Sequence, residues 1–114
     1  MPATKSLFDL KVTTIDGRTI NISDSRQKSH VVLIYEPSEM KKTVEHWQAA
    51  VNADRSQWEW LQVQIFLIKK APAEFEPGAY AIDRYGELIH RFPSRHWTFA
   101  DIEKEFIYYE ASHC

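Results

Sequence analysis

The stretch from His30 to Trp47 is the one the rest of the chain is built around, and its two halves carry different hydrophobic periods. Val31-Val32-Leu33-Ile34-Tyr35 is an unbroken apolar run rich in β-branched residues. Such a run predicts a strand covered on both faces, at the centre of a mixed or parallel sheet. Pro37 and Ser38 stop it. Met40, Val44, Trp47 and Val51 then recur at spacings of four, three and four, which places them on one face of a helix. Ser38 is the predicted N-cap, and Glu39 suits the positive end of the helix dipole. The helix is expected to end at about Asn52–Gln57. Trp58 and Trp60 flank Glu59 and point different ways unless the helix continues through them.

Upstream, Leu7–Ile15 alternates loosely, with Leu10, Val12 and Thr14 on one face. Asp16-Gly17 supplies the positive-φ positions of a tight hairpin, from which Arg18–Ile22 returns. Ser23-Asp24-Ser25-Arg26 predicts a short capped helical turn. Downstream, Leu61–Ile68 predicts a second apolar strand with one face fully and one partly covered. Pro72, Pro77 and Gly78 mark Lys69–Gly78 as a loop or a single helical turn. Ala79–Asp83 and Leu88–Phe92 form a second hairpin around Tyr85-Gly86-Glu87. Pro93–Trp97 is a loop. Thr98 and Asp101 match a capping box, and Phe99, Ile102, Phe106 and Tyr109 line one face of a last helix.

Strands separated by a helix are expected to run parallel with a right-handed crossover, and strands joined by a tight turn antiparallel. The fold class that follows is α/β: a mixed sheet of about five strands with helices on its faces, in one domain spanning residues 1–114. Composition agrees, since 44% hydrophobic and 26% charged residues exclude a disordered chain. Four Trp within a 13% aromatic content give so short a chain large side chains for its core. Net charge is −2 with acids and bases interleaved. The Lys pairs, Lys41-Lys42 and Lys69-Lys70, make no concentrated basic face, so nucleic acid is not an expected partner. No stretch approaches the roughly 20 apolar residues of a membrane span, and no apolar run follows the first residues as a secretory signal requires. With one cysteine no internal disulfide forms, and a reducing cytoplasm is the expected compartment.

Three segments carry a family resemblance. Leu10-Lys-Val-Thr-Thr-Ile-Asp-Gly-Arg-Thr-Ile-Asn-Ile-Ser-Asp24 resembles the N-terminal hairpin of the peroxiredoxin and alkyl-hydroperoxide-reductase/thiol-specific-antioxidant (redoxin) group of the thioredoxin-fold superfamily. Val31–Tyr35 resembles the strand that delivers that group's redox site. Pro77-Gly-Ala-Tyr-Ala-Ile-Asp-Arg-Tyr-Gly86 resembles its Pro-x-x-Phe-x-Ile-Asp-x-x-Gly stretch. The resemblance implies a thioredoxin-like sheet, with Pro77 as a cis-proline opposite the active site. It also implies that the helix usually found before Pro77 is reduced or lost, leaving Phe66, Ile68 and Phe75 near the gap.

The departures bear on function. Relatives hold a Cys-x-x-Cys pair, or a reactive cysteine after a Thr or Ser, at the start of the helix that follows the central strand. Aligned on Tyr35, this chain has Met40 and Thr43 there. Thiolate chemistry needs sulfur at a helix N-terminus, where the dipole lowers its pKa. On this reading the chain is redox-inactive. It acts by binding a protein partner, or itself as a homodimer, through the sheet face beside Lys69–Gly78 or through the last helix.

Other chemistry is sparse. Cys114 beside His113 is the alternative site for a thiol peroxidase or oxidoreductase, with His113 as base or positive neighbour. The competing reading is an ordinary terminal thiol. A second alternative is metal held by His113 and Cys114 with His90 or His96, but the spacing supplies no ligand pairs of the usual kind, so neither metal nor cofactor is expected. Arg91, Arg95, His96 and Trp97 form a basic and aromatic patch suited to an anionic group, or a solvated loop. Glu36, Glu39, Asp83 and Arg84 are expected to cluster near the strand ends, as acid–base groups or as a surface ion-pair set.

Overall fold

Six strands hydrogen-bond into one mixed sheet in a computed structural model that describes residues 11–25 and 28–112. They are β1 (Lys11–Thr14), β2 (Thr19–Asn21), β3 (His30–Tyr35), β4 (Val63–Lys70), β5 (Gly78–Ile82) and β6 (Leu88–Pro93), in the spatial order β2-β1-β4-β3-β5-β6. The helices are α1 (Met40–Ala53), α2 (Arg55–Leu61) and α3 (Phe99–Ser112). β3 runs parallel to β4 and antiparallel to β5, as the alternation of elements requires. The count is six rather than about five. β4 extends to Lys70, and its far end offers an edge on which β1 pairs through Thr13↔Lys70 and Thr14↔Ile68.

Val31, Val32, Leu33 and Ile34 are each at most 1% exposed, which is the physical meaning of their unbroken apolar run. The two hairpins use one loop design. In the first, the Thr14 N–H donates to the Arg18 carbonyl and the Gly17 N–H to the Thr14 carbonyl; in the second, Asp83 and Gly86 repeat this with Glu87 and Asp83. The third loop residue of each is a glycine at positive φ, 88° for Gly17 and 86° for Gly86. A three-residue hairpin loop asks for that glycine alone, so Asp16 is not at positive φ as expected.

Ser38 does not cap α1. Residues Pro37–Glu39 form a 3-10 turn and α1 starts at Met40, with no side-chain cap at its start. Proline presets the φ of a first helical position, which draws Ser38 into that turn. α1 stops at Ala53, and α2 restarts after one residue. Helix therefore does run through the two tryptophans, burying Trp58 at 5% exposure and leaving Trp60 at 70%. Gln62, at φ 58°, ends α2 in the left-handed conformation, so Leu61 belongs to a helix rather than to the strand. At α3 the capping box is complete: the Asp101 N–H donates to Thr98 Oγ1 and the Thr98 N–H to Asp101 Oδ2, both at 3.1 Å.

All three helices pack on one face of the sheet. Trp58, Leu61, Phe99, Ile102 and Phe106 meet Val32, Ile34, Leu67, Ala79 and Ala81 there. The other face gathers Val12, Ile22, Val31, Leu33, Ile68, Tyr80 and Ile82. Among the described residues no α-helix covers it, and the segment before Pro77 is a loop, as the resemblance implied. Phe75 reaches back from that loop to stack on Tyr80 at 4.5 Å between centroids. Phe66 and Phe75 are half-buried and pack against the cluster on this face that includes Ile68, itself 1% exposed.

Candidate functional site

The alternation of β3 sends Ile34 to the helical face and Tyr35 to the other, so Glu36 turns back toward the helices. There it is 4% exposed. Burying a carboxylate is costly unless its oxygens are hydrogen-bonded, and Glu36 accepts three bonds. Oε1 takes the Ser94 hydroxyl at 2.5 Å; Oε2 takes the Arg95 backbone N–H at 2.7 Å and the Trp97 indole N–H at 2.8 Å. A turn closed by the His96 N–H on the Pro93 carbonyl brings these donors in. Arg95 sits within it at φ 64°, a left-handed conformation that costs a non-glycine residue about 1–2 kcal/mol.

Between this turn and the first turns of α1 lies a cavity of ≈ 380 Å³, bounded by Glu36, Glu39, Thr43, His46, Arg95 and Trp97 among others. It occupies the corner between β3 and α1. Thr43 is 9% exposed and lines it. Met40 opens α1 and packs in the adjoining niche with Ile15, Ile34 and Leu67. A thioether and a hydroxyl thus stand in the first turns of α1. Neither becomes a thiolate nucleophile.

The patch expected from sequence divides. Arg95 and Trp97 face the cavity, while His96 is exposed. Arg91 pairs instead with Glu76 at 2.5 Å and lies over the Tyr80 ring. Glu39 has a long ion pair to Arg95, 3.9 Å. The expected cluster of Glu36 and Glu39 with Asp83 and Arg84 does not form. β5 is antiparallel to β3, with Val31 opposite Ile82 and Tyr35 opposite Gly78, so Asp83 and Arg84 lie beside His30 at the far end of β3. Pro77 follows a trans peptide bond, since no cis bond occurs among the described residues. Trans is the default for an X–Pro bond by about 0.5–1 kcal/mol, and the Glu76 carbonyl before it is held by the Tyr80 hydroxyl at 2.6 Å. His113 and Cys114 lie outside the described residues. Among the described residues no group of three or more His, Cys, Asp or Glu side chains could hold a metal, and no helix is long and apolar enough to cross a membrane.

A second polar cluster was not foreseen. His30 is fully buried at the head of β3. The Arg84 backbone N–H donates to its Nδ1 at 3.1 Å, and Nε2 lies 2.7 Å from Glu110 Oε1. Nδ1 is therefore the bare nitrogen, and Nε2 carries the proton it gives to Glu110. The Arg84 guanidinium donates to the same oxygen at 2.8 Å. These contacts hold the Glu110 carboxyl below the usual range, the His30 bond first. Tyr109 donates its hydroxyl to Asp83 at 3.1 Å, and burial, then the Asp83 charge, pushes it up to about 12. Two signals were available: a histidine contiguous with a strand buried on both faces, and Glu110 four positions after Phe106 on the inner face of α3.

No family model matches the chain, and no curated protein matches it. Solved structures do. The chain is similar to Trgpx in its apo form, with 12% identity, a TM-score of 0.63, and coverage of 92% of this chain and 95% of that one. The exposed lipoprotein thioredoxin Etrx1 of Streptococcus pneumoniae matches at 12% identity and TM-score 0.53, over 86% of this chain and 97% of that one. GPX1 of T. cruzi matches at 14% identity and TM-score 0.52, over 90% and 95%. Identity this low shows the fold alone, and that fold is thioredoxin-like.

Proposed function

We propose that this thioredoxin-like chain is a redox-inactive binding domain, which recognises a protein partner, or a second copy of itself, at the corner between β3 and α1. The observation that supports this is the pair Met40 and Thr43 in the first turns of α1, in a chain with one cysteine, Cys114. Without a thiol at that corner the fold has no nucleophile there for thiol chemistry. The cavity beside Thr43 gives the corner something to recognise with.

α3 runs from the cavity, which Phe99 lines, to the opposite end of β3, where Glu110 meets His30. The single cysteine is also the reason for proposing a reducing compartment such as the cytoplasm.

Two further surfaces are less defined. α3 exposes Ile107 at 41% and Tyr108 at 73%, and the second sheet face has half-buried Tyr35, Phe66 and Phe75. Affinity capture combined with sedimentation velocity tests the reading. Wild-type protein is expected to retain a partner or to self-associate, and Thr43→Lys, which places a long charged side chain in the cavity, to lose that association. A strict monomer with no partner recovered would overturn it.

A further inference from the structure

We propose that the corner cavity takes a cationic side chain, the ammonium of a lysine or the guanidinium of an arginine presented by a protein partner; this rests on the binding reading above and gives it a chemistry. The cavity is lined by groups of both signs, and they differ in burial. Glu36 is 4% exposed, and its three hydrogen-bond donors, a hydroxyl, a backbone amide and an indole, are all neutral. They hold the carboxylate without cancelling its charge. No basic side chain among the described residues forms an ion pair with it.

The basic residues at the mouth are placed differently. Lys42 and His46 are exposed. The Arg95 side chain is 61% exposed and reaches Glu39 only at 3.9 Å. Exposed charges are screened by water and salt, and such pairs are worth at most about 1 kcal/mol. A buried charge is screened far less. The floor of the cavity is therefore anionic, and Glu39, with its side chain 34% exposed, adds a second acid on the same side. An anionic ligand would have to approach Glu36 unpaired, which the site opposes.

Two more features fit a nitrogen cation. Trp97 supplies an aromatic wall, and aromatic rings attract ammonium and guanidinium groups. Thr43 is nine-tenths buried and lines the cavity, and its hydroxyl makes no hydrogen bond among the described residues. A hydroxyl there can accept a hydrogen bond from a ligand N–H. The weak Arg95–Glu39 pair is the internal contact that an incoming cation replaces.

The test follows the Trp97 indole N–H signal, assigned with Trp97→Phe, while ¹⁵N-labelled protein is titrated with three capped tripeptides, Gly-Lys-Gly, Gly-Arg-Gly and Gly-Glu-Gly. The lysine and arginine peptides are expected to shift it saturably. Affinity is expected to fall several-fold between about 50 and 300 mM salt, and about tenfold in Glu36→Gln, the worth of one charge-assisted bond. Because Glu36→Gln risks the fold, Glu39→Gln serves as a second variant, with a smaller loss in the same direction. Absence of a saturable shift with the basic peptides, or an equal shift with the glutamate peptide, overturns the assignment. Thr43-dependent capture of a partner alongside either result would leave the binding reading standing and remove only its charge.

Discussion

His30 and Glu110, eighty residues apart in the chain, meet at 2.7 Å and tie the last turn of α3 to the first residue of β3. The backbone of Arg84 fixes which ring nitrogen carries the proton, so the bond has one direction. Breaking it leaves a buried donor unpaired, which costs about 1–3 kcal/mol.

Glu110→Gln should therefore destabilise the protein at neutral pH, by about 1–2 kcal/mol for the loss of its charge-assisted bonds. The effect should depend on pH. A carboxyl held lower in the folded state than its ordinary 4.5 contributes stability above that value, and the contribution disappears as pH falls through the folded value. Urea midpoints for wild type and variant should converge below pH 4.5. A gap that stays constant from neutral pH into acid would show that the ionised form contributes nothing.

Glu103 should behave in the opposite sense. Burial, and then a hydrogen bond and charge from Asp54 at the junction of α1 and α2, push its carboxyl up to about 7. A raised value means that its contribution is complete below the ordinary 4.5 and is lost as pH rises through about 7. Glu103→Gln should raise the Tm above pH 7 and leave it nearly unchanged near 4.5. Thermal melts across that window check the sign.

Two backbone positions give predictions of opposite direction. Gln62 is exposed and left-handed at φ 58° where α2 ends, a position that favours glycine. Gln62→Gly should stabilise by about 0.5–1 kcal/mol in urea denaturation, the relief of a misplaced Cβ net of chain entropy.

Gly78 stands at φ +145°, and a Cβ there would come within 2.3 Å of the Phe92 carbonyl oxygen. Since that oxygen is backbone in the neighbouring strand, Gly78→Ala should cost about 2–4 kcal/mol, combining strain with overpacking. Urea denaturation of the alanine variant at neutral pH measures it.

Much of the fold was legible because periods change sharply along the chain. The apolar run at Val31, the two glycine-bearing loops and the Thr98–Asp101 box each act over a few residues, and each is present in the structure. Loss of the helix before Pro77 could be read from segment length. What the sequence hid was long-range. Strand direction decides that Asp83 joins His30 rather than Glu36, and no local pattern reports it. The same holds for the corner cavity. Arg95 and Trp97 could be picked out by type, but the carboxylate they hold, Glu36, comes from just beyond the end of β3. His96 is exposed although it stands between Arg95 and Trp97, and Arg91, within β6, pairs with Glu76 instead.

A redox-inactive chain consumes no peroxide through a thiol. Hydrogen peroxide consumption in the presence of dithiothreitol, measured for the wild type and Cys114→Ser, tests that inactivity most directly. Both proteins should run at the rate of the protein-free control. Consumption by the wild type that Cys114→Ser abolishes would contradict it.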